Sequence, residues 1–458
     1  MDLKRKLARL RGAGPGSLPR RAPEPAPVDA LNAPPVPIEP EPLGDDDVER
    51  RARVTKLRSL LGSMMADEKR RLRDRAPTVT PPQPLPGVVE ETAFGRLRRV
   101  SAYLEPAHVH GRVGIARAID VDAETIGKLA LDDELAGVDP TRLLYLDTET
   151  TGLAGGAGTI PFLIGIAWFE DESMHLEQLV LERPGEEAPM LRRLAERIAW
   201  ASAVVSYNGK SYDWPLLRSR FVLNRVPVAT PAAHVDLLHC ARRVFKRRLG
   251  HVRLVHMEEH VLGMRREGDI DGAEIPQRFW DFVRGSDGSL LAPIIEHNAN
   301  DIVALAAILV SLVERYEQLR PEHEPEDRLG VAEVALRAAD PDRAARYAES
   351  AADAGGSPDL TCDALWLASE LARKRGDTAA RLTLLQRALE VSTDPRRTAR
   401  AHLALAKIHE HTHRDFETAL LHARSTDHEE GTAARDHRVA RLLRKIEKVR
   451  RQRRLEVS

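Results

Sequence analysis

Leu143-Leu144-Tyr145-Leu146-Asp147-Thr148-Glu149-Thr150 is the stretch on which the fold turns. Four apolar residues run unbroken into an acid, as expected for a central strand buried on both faces that surfaces at its C-terminal end. A glycine-rich segment follows (Gly152, Gly155, Gly156, Gly158), then a second apolar run at 160–169 and a third segment, 175–181, with Leu176, Leu179 and Leu181. Three strands with short connections read as an antiparallel meander. Downstream, helical spacing over 190–201, a strand at Val204-Val205-Ser206-Tyr207, a helix over 213–224 and a short strand at 234–237 alternate, and the rest to about Tyr316 is mostly helical. Strands in series followed by strands alternating with helices predict a mixed α/β layer with flanking helices.

The flanks differ in texture. Ten prolines fall between Pro15 and Pro42, and Pro81, Pro82, Pro84 and Pro86 follow. Proline at that density fixes φ and removes backbone donors. Residues 1–95 are therefore expected to be mostly disordered, with short basic amphipathic helices near 3–10 and 48–73 and order beginning near Phe94. Beyond Arg320 the chain turns to Ala, Leu and Arg in helical periods. Asp342-Arg343-Ala344-Ala345-Arg346 recurs as Asp377-Thr378-Ala379-Ala380-Arg381, with a weaker echo around Asp415. A period of that size, with small residues between helices, resembles tetratricopeptide repeats. The expected division is 1–95, an α/β domain at 96–318, and an all-α repeat at 325–458 closing on a basic helix.

Composition excludes several classes. Of the 458 residues 42% are hydrophobic and 30% charged, enough for a real core, while only 4% are aromatic. Lysine and arginine number 69 against 70 acids, so net charge is silent about a nucleic-acid partner and only local charge can speak. Two cysteines, Cys240 and Cys362, cannot make a disulfide framework, which fits a reducing, cytoplasmic setting. No apolar run approaches the ~20 residues of a membrane span, and the basic start has no apolar region behind it, so neither a membrane segment nor a secretory signal is expected.

The chemical signal lies in the α/β region. Asp147 and Glu149, two apart on a strand, share a face and present paired carboxylates. In Tyr207-Asn208-Gly209-Lys210-Ser211-Tyr212-Asp213, a turn after a strand delivers Asp213 to the start of a helix. Alone, that aspartate reads as a helix cap. His297-Asn298-Ala299-Asn300-Asp301 opens an apolar helix and sets His297 and Asp301 one turn apart on one face. Together the four acids fit hard divalent cations, two of which can clamp the attacking water and leaving oxygen of a phosphodiester, and a nearby histidine can take the water's proton.

These phrases, LDTETTGLAGGAGT (146–159), SYNGKSYDWPLL (206–217), VDLLHCARR (235–243) and EHNANDIVAL (296–305), resemble the DEDD exonucleases of the ribonuclease H-like fold, and among them the YprB-like bacterial branch. The resemblance covers roughly residues 111–316. It implies a ribonuclease H-like mixed sheet and a 3′–5′ exonuclease acting on DNA, in bacterial DNA repair alongside a helicase or other repair protein. Two Mg²⁺ or Mn²⁺ ions would be held by Asp147, Glu149, Asp213 and Asp301, with His297 as general base. The histidine subclass places its base five residues before the last aspartate, where Glu296 stands here. The tyrosine subclass places its base four before, where His297 stands. Thr148, Leu153, Asn208 and Lys210 are candidate substrate contacts. Asp236 is a supporting acid or simply a helix cap, and Lys246, Arg247, Arg248, His251 and Arg253 form a basic cluster suited to phosphate. His108 and His110 lack a third ligand for zinc, and the glycine-rich segment lacks the Lys-Ser/Thr ending of a nucleotide loop. The rival class is a non-catalytic helical-repeat scaffold on a nuclease-like fold. RNA is the alternative substrate.

Overall fold

The computed structural model describes residues 84–152 and 158–457. The N-terminal helices expected at 3–10 and 48–73, the proline-rich segment before residue 84, and Leu153 lie outside them.

Nine strands are present among the described residues: β1 (Val88–Thr92), β2 (Gly95–Leu104), β3 (Val109–His110), β4 (Val113–Gly114), β5 (Leu143–Thr150), β6 (Pro161–Glu170), β7 (Ser173–Val180), β8 (Ala203–Ser206) and β9 (His234–Asp236). Seven of them form one sheet in the order β1-β2-β7-β6-β5-β8-β9, and β3 and β4 form a separate small hairpin. Within the large sheet β1, β2, β7, β6 and β5 pair antiparallel in that order, β8 joins β5 in parallel, and β9 joins β8 in parallel. The 143–181 meander is therefore present as expected. Order begins earlier than Phe94, however, because β1 pairs with β2 from Val88 onward and corrects the boundary at 95. β1 eluded the sequence because Val-Val-Glu-Glu-Thr on a sheet edge buries little and shows no strong period.

β5 follows the two-residue period of a strand buried on both faces. Leu143 and Tyr145 enter one apolar cluster, while Leu144 and Leu146 enter the cluster on the opposite face. Helices α1 (Ala123–Ala130), α2 (Ala188–Trp200), α3 (Asp213–Leu223), α4 (Leu237–Leu249), α5 (Ile275–Val283) and α6 (Ala292–Glu317) flank the sheet. α6 is long and apolar enough to cross a membrane, but most of it is buried as the domain's core helix. It crosses β6 at Gly165, where an added Cβ would lie 2.1 Å from Asn298 Oδ1 and 2.2 Å from Ile302 Cδ1. Glycine at this point lets the helix approach the sheet closely, and the helix carries His297 and Asp301.

Beyond α6 come α7 (Pro325–Arg337), α8 (Pro341–Asp353), α9 (Pro358–Arg375), α10 (Thr378–Val391), α11 (Pro395–Ile408), α12 (Phe416–Ala423) and a long final helix α13 (Thr432–Val457). The side chains of Asp340, Asp377 and Asp415 cap α8, α10 and α12. The structural repeat thus runs 37 and then 38 residues between equivalent caps, and the sequence match of Asp342 to Asp377 is two residues out of register with it. α7 packs on α4 so closely that a Cβ on Gly330 would lie 2.4 Å from the Val244 carbonyl oxygen. One apolar cluster continues from the sheet through α4 and α6 into α7–α10.

Candidate active site

β5 passes from buried to half-buried at its C-terminal end, where it carries Asp147 and Glu149. Asp213 arrives from the parallel neighbour β8 through the 207–212 loop. Asp236 organises that loop from beneath. It accepts the backbone N–H groups of Asn208 (2.8 Å) and Lys210 (3.2 Å) and also that of Leu238 at the start of α4 (3.1 Å), so it is both loop support and helix cap. Asn208 has φ 69°, a left-handed conformation that asparagine tolerates. At Gly209 a Cβ would meet Ser206 Oγ at 2.3 Å and Asp213 Oδ2 at 3.2 Å, so only glycine leaves the turn this tight.

The four acids converge. Burial, then repulsion from Asp301 and Asp213, pushes the Asp147 carboxyl well above the ordinary range. Burial and repulsion from Asp147, Asp301 and Asp213 do the same to Glu149. Burial raises Asp213 to about 6 against a hydrogen bond from Thr148, whose hydroxyl donates to Asp213 Oδ1. Burial also raises Asp301, although Arg266 and His297 oppose it.

The tightest donor set among the described residues differs in composition from the expected one. Glu149, His297 and Asp301 bring ligand atoms within 4.8 Å of one another. His297 Nε2 lies 3.8 Å from Glu149 Oε1 and 3.6 Å from Asp301 Oδ2. Its Nδ1 lies 2.7 Å from Asp269 Oδ1, an acid that fixes the proton on Nδ1 and leaves Nε2 to face the carboxylates. Asp147 Oδ2 accepts from Asn298 Nδ2 at 2.8 Å, and Asn298 Oδ1 in turn accepts from Gln178 at 2.8 Å.

Sequence reasoning missed Arg266, Asp269, Asn298 and Glu258. Arg266 is nearly buried, with 5% of its side chain exposed, and donates to Asp301 Oδ1 (2.5 Å), Glu258 Oε1 (2.9 Å) and Asp269 Oδ2 (3.2 Å). Burial works against its charge, yet Asp301 and Glu258 hold its pKa above the ordinary value. The buried Glu258 also meets His110 Nε2 at 2.9 Å. The histidine of the H-x-H pair is therefore spent on an internal contact. Lys210 Nζ lies 3.8 Å from Asp132 in an exposed pair. The basic cluster divides. Arg247 pairs with Glu333 and Asp363, and Arg248 with Asp327, tying α4 to the C-terminal helices.

The donor set fits hard divalent cations. Four carboxylates that repel one another, with a single guanidinium among them in the described residues, favour oxygen-seeking cations that neutralise their charge.

A mixed sheet whose central strand ends in paired acids, completed by acids from a following loop and a crossing helix, defines a ribonuclease H-like domain. Residues 144–313 match the family model RNase_H_2 of the RNase_H superfamily. The chain is similar to the uncharacterized protein YprB of Bacillus subtilis, at 33% identity over 193 residues, which is 42% of this chain and 46% of YprB. It thus spans about half the length of that relative. The family B DNA polymerase from the archaeon Pyrobaculum calidifontis aligns at a TM-score of 0.32 and 14% identity, over 52% of this chain and 29% of the polymerase, a likeness too low to bear on function.

Proposed function

We propose that the protein is a metal-dependent 3′–5′ exonuclease of the DEDD type, acting on DNA in repair. The observation that carries this reading is the convergence of Asp147, Glu149, Asp213 and Asp301, with His297 Nε2 facing Glu149 and Asp301 and its Nδ1 anchored on Asp269. The four acids would hold two Mg²⁺ or Mn²⁺ ions. When bound, such ions supply Lewis acidity and neutralise charge at the phosphodiester. His297 Nε2 accepts the proton of the attacking water, and Asp269 stabilises the resulting imidazolium, a division of labour known from carboxylate–histidine pairs in general. Thr148 keeps Asp213 oriented, and Asn298 does the same for Asp147. The polarity and the repair setting, with a helicase or other repair protein on the helical stack, rest on the family resemblance.

The test is degradation of 3′- and 5′-labelled DNA and RNA of one sequence with Mg²⁺, Mn²⁺ or EDTA. The expected result is stepwise loss from the 3′ end of DNA, abolished by EDTA and by Asp301→Ala, and lowered about 10²–10⁴-fold by His297→Ala. Equal or faster loss of RNA reassigns the substrate. No metal-dependent cleavage of any labelled strand favours the scaffold reading.

A further inference from the structure

A trough of about 680 Å³ opens beside the 207–212 loop, between α4 and residues 250–254. At one end it reaches Asn208, whose neighbour Gly209 sits against Asp213, so the trough abuts the acid cluster. Leu238, Arg242 and Lys246 line it from α4 at intervals of four residues, one above another on a single helix face. From Leu238 to Lys246 that face runs ~12 Å. Arg253 faces it from the other wall, and Leu254 adds apolar floor.

The charges along this face contrast with their neighbours. Arg247 and Arg248 are held by acids of the C-terminal helices. Arg242, Lys246 and Arg253 are exposed, and among the described residues none of them forms an ion pair. Among the described residues no acid lines the trough. Three unpaired cations over an apolar floor suit a polyanion whose other face is apolar. A single nucleic-acid strand has that character, with phosphates on one side and base faces on the other. A duplex turns its bases inward and has nothing to set on the floor.

We infer that this trough binds the phosphate backbone of a single strand and leads it to the acid cluster, a reading that rests on the proposed nuclease site and names the strand's path to it. Each single-strand phosphate neutralised contributes about 0.7 to the slope of log affinity against log salt. The triple variant Arg242→Gln/Lys246→Gln/Arg253→Gln should therefore lower that slope by about two.

Fluorescence anisotropy of 20-residue oligo-dT and oligo-U in EDTA, over a salt series, reads this directly on the full chain. The expected result is weaker binding and a flattened slope in the triple variant, with an unchanged Mn²⁺-induced thermal shift and unchanged hydrolysis of bis(p-nitrophenyl) phosphate, which is too small to reach the trough. The oligo-dT and oligo-U arms report which sugar is preferred. An unchanged salt slope overturns the proposal, as does polyglutamate competing as well as the oligonucleotide. If wild-type protein binds strands through the trough yet hydrolyses none with Mg²⁺ or Mn²⁺, the trough stands and the nuclease reading fails. If hydrolysis of long strands is normal in the triple variant, the trough fails and the nuclease reading stands.

Discussion

Replacing Gly165 by alanine tests how closely the crossing helix must lie to the sheet. Gly165 on β6 faces Asp147 in register across the β5–β6 pair. The new Cβ would sit 2.1 Å from Asn298 Oδ1 and 2.2 Å from Ile302 Cδ1, whereas ordinary contact begins near 3.4 Å. α6 must therefore retreat by about 1 Å or Asn298 must turn away. Overpacking of this kind costs about 1–3 kcal/mol. Losing the Asn298 hydrogen bond to the Asp147 carboxylate adds about 1.5–3 kcal/mol. The total is about 2.5–6 kcal/mol, read from denaturant unfolding of the metal-free protein. His297 and Asp301 flank Asn298 and move with it, so cleavage should fall about 10²-fold, the usual consequence of an ångström of misplacement. Gly137→Ala is the control, because a Cβ there meets nothing within 4 Å. If Gly165→Ala unfolds at the same denaturant concentration as Gly137→Ala and responds equally to Mn²⁺, the helix is not held where we place it.

Three further outcomes follow from the site. Metal-free protein should lose stability as pH rises from about 4 to beyond 6: Asp213 titrates near 3.8 when unfolded and about 6 when folded, and Asp147 and Glu149 are also raised. The folded state then holds more protons, so stability is highest below the unfolded pKa. Saturating Mn²⁺ should abolish or reverse that slope in thermal melts, and a metal-free melt flat across this range would contradict the buried repulsion. Asp269→Asn should lower cleavage about 10–10²-fold, because a neutral amide no longer stabilises the charged His297 ring, and should also weaken the hold on Arg266; an unchanged rate on end-labelled DNA would mean that Asp269 does not act through the ring. Arg266→Met should destabilise the metal-free protein by about 3–5 kcal/mol, as expected when buried acids lose their partner, while enlarging the thermal shift produced by Mn²⁺. A smaller Mn²⁺ shift would show that Arg266 assists cation binding.

How much of this was legible in the sequence depends on whether the relevant residues are neighbours along the chain. β5 was readable because a strand buried on both faces must be an unbroken apolar run, and Leu143–Leu146 supply one. The four acids and His297 were readable because each stands at the end of an apolar element inside a recognisable phrase, and the structure brings all five together. As for the mixed spacing of His297, one turn of α6 puts its Nε2 beside Asp301 and its Nδ1 on Asp269. Asn298 stood inside the quoted phrase, but its role depends on Gln178 and Gly165, which reach it only through the packing of α6 on the sheet. The basic cluster was read as one unit. Which of its cations are free is decided by Glu333, Asp363 and Asp327, acids 79 to 116 residues further along the chain.

Arg266 marks the limit of such reading most clearly. It lies in a polar stretch with no periodicity, and counting ligands gives no reason to look for a cation among them. Yet four acids brought together without metal repel unless they take up protons or pair with a cation. A divalent ion serves that purpose only where it is present and its binding is coupled to folding. A guanidinium covalently attached to the chain is there throughout, and Arg266 bonds Asp301 at one end of the cluster while Glu258 and Asp269 hold it in place. The consequence is competition. Whatever stabilises the empty site through Asp301 must be given up, at least in part, when a cation takes that oxygen. The stability of the metal-free fold and the affinity for metal are therefore opposed through one side chain, and a variant that gains in one should lose in the other.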